Sequence, residues 1–271
     1  MAITLSRLAR RLSLVVVLVA VLLASALSTG AAATPSPRSQ RAAHALEVQG
    51  TTRGGETRGL YPAQALTLRA EGEALLAFPP SRTAAKAPLS VVFLHGARGR
   101  AANGCPAFRS GASELGWLVC PEAIEAQPDG SWSWGADVFQ QRPVVARALA
   151  AAHAEGASKE PGVAVGFSQG SYVALDLLKA SFASFRGLVL LGAELHPNVK
   201  TLRDAGVKRV ALGAGRYDTI PYAALQEEAV RMENEGLEAR FYDLGKVGHT
   251  YLASDPAVLR DAIAWAGGKD D

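Results

Sequence analysis

From Leu89 onward, short runs of apolar residues alternate with longer stretches of helical character. Leu89 to Leu94 is β-branched and apolar, bounded by Pro88 and Gly96. Trp117 to Cys120 lies between Gly116 and Pro121, and Val163 to Phe167, Leu188 to Leu191 and Val207 to Leu212 have the same character. Residues Phe241 to Leu244 read as a final strand. Runs that are apolar on both faces suit strands of a parallel sheet covered by helices on each side. The intervening stretches, Val138 to Glu155, Gln169 to Phe182, Tyr222 to Glu235 and Pro256 to Ala266, read as helices. This alternation predicts right-handed βαβ units. Ala65 to Arg69 and Glu73 to Phe78 are expected as antiparallel edge strands.

Ahead of this pattern the chain has a different texture. Arg7, Arg10 and Arg11 precede an apolar run from Leu12 to Leu27, and Ala31-Ala32-Ala33 follows. A positive start, an apolar middle and small residues at the end make 1–33 a signal peptide. The run is short for a membrane span, which needs about 20 apolar residues, so no span is expected after cleavage. An uncleaved anchor is the alternative. Arg10-Arg11 hints weakly at twin-arginine export. Residues 34–60 are rich in Pro, Ser, Arg, Gly and Gln and read as a flexible lead. Residues 61–268 are long enough for one domain with a full core. The expected location is therefore exported, periplasmic or extracellular.

The signal also changes the charge balance. The full chain has 28 Lys+Arg against 25 Asp+Glu, and the three arginines of 1–33 account for the excess. A neutral mature chain gives no reason to expect nucleic acid, which requires a basic binding face. The two cysteines, Cys105 and Cys120, form a close, even pair that favours a disulfide in an oxidising compartment, with two buried free thiols as the alternative.

In a parallel sheet, ligands bind beyond the carboxyl ends of the strands. His95-Gly96, Gly166-Phe167-Ser168-Gln169-Gly170, Asp218 and His249 all fall there. With 27 Gly in the chain, a Gly-x-Ser-x-Gly match alone is weak. Its place between a strand and a helix is what gives it weight, because a serine there sits on a sharp turn with its hydroxyl exposed. The bland reading is a glycine-rich turn with a capping serine. A serine hydroxyl needs a base, and the base needs an orienting group. Of the five histidines, His44 lies in the lead, His153 in a helix, His95 before the first loop, and His196 too early in the chain. That leaves His249 as the base. Asp218 is the acid and Glu194 the reserve, while an Asx-turn or helix cap is the plain reading of Asp218. The oxyanion hole is expected from the N–H groups of Ala97 and Gln169. Trp132 and Trp134 are candidate substrate-lining residues, with packing against the core as the other reading.

Taken together, Leu94-His95-Gly96, Gly166-Phe167-Ser168-Gln169-Gly170, Asp218 and Gly248-His249 resemble the α/β-hydrolase superfamily. The turn around Ser168 is similar to that of its carboxylesterase, lysophospholipase and acyl-protein thioesterase branch. The likeness runs from Leu89 to Gly267. Ser171 stands where that branch usually has another Gly, and Ala97-Arg98-Gly99 departs from its first loop. The resemblance implies an α/β fold, a mostly parallel sheet flanked by helices, and hydrolysis of small carboxylic esters or thioesters. The few residues between Leu191 and Lys200 leave no room for a large cap domain. A serine peptidase and a catalytically silent binding protein on the same fold are the alternatives. No cofactor is expected: Asp218 replaces the third Gly of a dinucleotide fingerprint begun by Gly213-Ala214-Gly215, and no zinc spacing or phosphate-loop Lys is present.

Overall fold

The computed structural model describes residues 65–269 apart from 71, 72, 82, 83, 85 and 86; the signal peptide and the lead read from the sequence lie outside the described residues. Its main sheet has eight strands in the order β1-β2-β4-β3-β7-β8-β9-β10. The edge hairpin β1 (Leu66–Ala70) and β2 (Glu73–Phe78) is antiparallel, and β2 also runs antiparallel to β4 (Gly116–Cys120). From β4 onward every neighbouring pair is parallel, through β3 (Leu89–Leu94), β7 (Gly162–Phe167), β8 (Phe185–Leu191), β9 (Arg209–Ala214) and β10 (Glu238–Asp243).

The period of two along a strand sorts the core into two layers. Val92, Leu94, Ala164, Leu188, Leu190, Val210 and Leu212 face one side. They are covered by α2 (Val138–Ala154), α3 (Gln169–Lys179), α4 (Val199–Asp204) and α5 (Thr219–Asn234). Val91, Phe93, Val163, Val165, Val189, Leu191 and Ala211 face the other side, covered by α1 (Ala101–Leu115) and α6 (Pro256–Ala266). Burial on both faces is what requires continuous apolar strands in place of alternating ones.

The short helix α4 was not expected from the sequence, and neither were helix α1 and a second sheet. Helix α1 contains Gly104, Pro106 and Gly111, a composition with poor intrinsic propensity. It is held instead by burial of Cys105, Phe108, Ala112 and Leu115, and the Cα atoms of Cys105 and Cys120 stand 6.0 Å apart, within disulfide reach. A second, two-stranded sheet pairs β5 (Glu125–Ala126) with β6 (Trp132–Ser133), in a stretch where the sequence pattern marks no strand. Seven residues link β8 to α4, and no cap domain is inserted there.

The chain leaves β3 toward β4 on one side and continues from β7 toward β10 on the other. The crevice between the ends of β3 and β7 is therefore the switch point of the sheet, the place where open α/β sheets bind ligands.

Candidate active site

Ser168 stands at that switch point, between β7 and α3. Its backbone has φ 51 and ψ −118, a left-handed φ that a residue with a Cβ rarely adopts. The flanking glycines are needed for close approach. A Cβ on Gly170 would lie 1.9 Å from the Leu94 carbonyl oxygen, and one on Gly166 would lie 2.6 Å from the Ser171 Cα. Ser168 is the N-cap residue of α3, yet its side chain makes no capping bond. Its Oγ lies 3.1 Å from His249 Nε2 instead.

The same diversion occurs at Asp218. It occupies the N-cap position of α5 without capping it, and its Oδ2 lies 2.7 Å from His249 Nδ1. The plain readings of both residues as caps thus fail on geometry. Glu194, the reserve acid, is exposed; its backbone oxygen accepts the Tyr172 hydroxyl at 2.7 Å. Burial of Tyr172, reinforced by the Glu194 charge, raises its phenol pKa. The Asp218 side chain is 14 % exposed and that of His249 49 %, so the carboxylate is sheltered while the imidazole faces solvent.

The loops that carry Asp218 and His249 are laced together. The Arg216 N–H donates to Gly245 O at 2.8 Å and the Tyr217 N–H to Val247 O at 3.0 Å. The Arg216 guanidinium reaches Asp243 Oδ2 through Nε at 2.7 Å and holds that carboxyl below its ordinary range. Beneath the imidazole, the Phe167 ring lies 4.9 Å from the His249 ring, and Tyr251 meets Phe167 edge-on at 5.1 Å. Sequence reasoning took Phe167 only as a strand residue; its place beside Ser168 in the turn is the signal that could have marked it. Ser171, the departure from the branch pattern, is buried and joins α3 to β8. Its hydroxyl lies 3.2 Å from both the N and the O of Leu191.

The first loop also closes on the serine. A Cβ on Gly96 would lie 3.2 Å from Ser168 Cβ. Within the loop the Gly99 N–H donates to Gly96 O at 3.0 Å and the Arg98 N–H to Ser133 Oγ at 3.1 Å. The Ala97 N–H is left without a protein acceptor among the described residues. Gln169 opens α3, where a backbone N–H has no intrahelical acceptor. Both candidate oxyanion donors are therefore free to bond a ligand.

The structure corrects the expectation for Trp134. It is wholly buried, and its indole N–H donates to His95 O at 2.8 Å, so it lines no substrate surface. Trp132 is half-buried and packs against the core. Among the described residues no group of three His, Cys, Asp or Glu side chains is placed to hold a metal ion, and no helix is long and apolar enough to cross a membrane.

No family model and no curated protein matches the chain. Solved structures do. An uncharacterized protein from Bacillus cereus ATCC 10987 superposes with a TM-score of 0.57 at 18% identity over 68% of this chain; the chain spans only 61% of that protein. The Bacillus cereus carboxylesterase superposes with a TM-score of 0.52 at 19% identity, over 71% of this chain and 92% of that one. Est1E from Butyrivibrio proteoclasticus, solved with ferulic acid, gives a TM-score of 0.52 at 12% identity, over 76% and 100%. Likeness at such identities speaks for the fold, and with the sheet order and the turn around Ser168 it places the chain on the α/β-hydrolase fold.

Proposed function

We propose that the protein is an exported serine hydrolase that cleaves small carboxylic esters or thioesters through an acyl-enzyme. The observation that carries the reading is the continuous line from Asp218 Oδ2 to His249 Nδ1, and from His249 Nε2 to Ser168 Oγ. Two helix-capping side chains have given up their caps to make it. Structural neighbours that include a carboxylesterase and an esterase support the choice of ester chemistry.

Each step follows from the placement of these groups. His249 Nε2 takes the Ser168 proton as Oγ attacks the carbonyl carbon. The carbonyl π bond opens, and the resulting oxyanion is received by the Ala97 and Gln169 N–H groups. Asp218 holds the Nδ1–H tautomer and stabilises the imidazolium. On collapse, the C–O or C–S bond to the leaving group breaks, and His249 returns its proton to the departing alkoxide or thiolate. Water, deprotonated by His249, then releases the acid from Ser168. Export is carried by residues 1–33 and fits a paired Cys105 and Cys120.

A fluorophosphonate probe tests the reading directly. Labelling of Ser168 in the folded protein, together with turnover of p-nitrophenyl esters, is the expected result. Ser168→Ala is expected to lose at least about a thousandfold in turnover while still folding. Wild-type-like hydrolysis by that variant refutes the assignment of the nucleophile. A wild-type chain that neither labels nor hydrolyses ester or thioester is a binding protein on this fold, and preferential cleavage of a peptide anilide makes it a peptidase.

A further inference from the structure

The Ser131-Trp132-Ser133-Trp134 segment stands out in the sequence, and the mechanism above leaves it without a task. Its last three residues all bond the loop that carries Ala97. Trp132 pairs with Gly99 in both directions, accepting the Gly99 N–H at 3.1 Å and donating its own to Gly99 O at 2.9 Å. Ser133 is buried, and its Oγ accepts the Arg98 N–H at 3.1 Å. Trp134 donates its indole N–H to His95 O at 2.8 Å, and its backbone N–H goes to the side-chain oxygen of Gln169 at 3.0 Å. Three successive residues thus hold the loop that carries Ala97. The third also holds Gln169, the residue that supplies the other oxyanion donor.

Arg98 explains why such a hold is needed. Its φ is 55, a left-handed conformation on a residue with a Cβ, in the turn closed by Gly99 onto Gly96. An unfavourable turn persists only where its surroundings over-determine it. Below the loop, the buried His95 ring does the same work. Its Nδ1 lies 2.8 Å from Gly96 O and its Nε2 lies 2.8 Å from Glu122 Oε1, which in turn accepts the Ala101 N–H at 2.9 Å.

We propose that the 132–134 segment is the spacer of the oxyanion hole. The Ser133 hydroxyl and the Gln169 side-chain amide are positioning groups that fix the separation of the Ala97 and Gln169 N–H groups. The proposal rests on the hydrolase reading. Its consequence is specific: loosening the spacer weakens the grip on the tetrahedral oxyanion and leaves ground-state binding nearly untouched, because those donors are aimed at charge that develops only in the transition state.

Ser133→Ala removes the acceptor for Arg98, and Gln169→Met keeps side-chain length without an acceptor for Trp134. Each is expected to lower kcat by about ten- to a hundredfold, with KM within about threefold of wild type. The inhibition constant of an alkyl boronic acid, whose adduct with the serine places an oxygen where the oxyanion forms, is expected to rise by the same factor as kcat falls. Ser133→Thr keeps the hydroxyl and is expected to restore both. Thermal midpoints confirm that the variants are folded, and Gln169→Met, at a half-buried position, serves if Ser133→Ala does not fold. The spacer is refuted if the folded variants keep kcat within about threefold of wild type, or lose kcat without weaker boronate binding. A wild-type chain with neither turnover nor probe labelling refutes the hydrolase reading and the spacer with it.

Discussion

At the scale of single residues, the site is made from groups whose local opportunities have been declined. Aspartate and serine are favoured helix caps because their side-chain oxygens accept the first free N–H groups, which contributes about 1 kcal/mol. Asp137, Asn198 and Asp255 do this at other helices of the same molecule. Ser168 and Asp218 do not, and both point at His249. If the Asp218 carboxylate orients and charges the base, Asp218→Asn is expected to lower kcat by up to about four orders of magnitude with little change in stability, since shape is kept and charge is lost. Glu194→Gln is expected to stay close to wild type, because the polar partners of His249 are Asp218 and Ser168 and not Glu194. Steady-state kinetics on both variants decide the matter. Retained activity in Asp218→Asn with collapse in folded Glu194→Gln would move the acid role to Glu194.

At the scale of elements, what positions these residues is the lacing between the loop after β9 and the loop after β10. Asp243 contributes through Arg216, and its carboxyl is held below the ordinary range mainly by that hydrogen bond, with the Gly245 N–H adding to it. A carboxyl depressed in the folded state stabilises it fully above the ordinary carboxylate range, and the contribution is lost as pH falls through the lowered folded value. The difference in urea midpoint between wild type and Asp243→Asn is therefore expected to be present at neutral pH and to vanish in strong acid. It is expected to be small throughout, because the Arg216 side chain is more than half exposed. A difference that grows on acidification would contradict the direction. The lacing was not legible in the sequence, and the reason is physical. Strands and flanking helices reveal themselves through local periodicity, which is why β2 and α6 fall where the pattern puts them. The turn around Ser168 reveals itself through glycines that a close approach demands. Helix α1 has no such signal: Gly104, Pro106 and Gly111 argue against a helix, and tertiary contacts overrule them, namely packing on β3, β4 and α6 and the pairing of Cys105 with Cys120. A Cβ on Gly111 would lie 2.8 Å from Arg260 Cα, so that glycine serves the helix–helix contact. Trp134 misled for a related reason. Its aromatic ring suits a ligand or a core equally well, and the choice depends on His95 O and Gln169, which are distant in sequence.

At the scale of the whole molecule, stability and compartment meet in the Cys105–Cys120 pair. A Cys105–Cys120 disulfide would tie α1 to the end of β4 and close a loop that begins just after the loop that carries Ala97. Closing a loop of that size contributes about 3 kcal/mol on the chain-entropy model. For a helix of poor propensity this is a large share of what keeps it in place. Such a bond persists only where thiols are oxidised, so it has value to the protein only if residues 1–33 deliver it there. The two readings therefore stand or fall in one measurement. Intact-mass and N-terminal analysis of protein exported by its native host is expected to show a chain that begins near Thr34 and is two hydrogens lighter than its reduced form. Reduction is expected to lower the thermal midpoint, through loss of α1, before it touches the line from Asp218 to Ser168, because none of Ser168, Asp218 and His249 lies on α1. Two freely alkylated thiols in the untreated folded protein would refute the bond, and a mature chain that still begins at Met1 would replace cleavage with an uncleaved anchor.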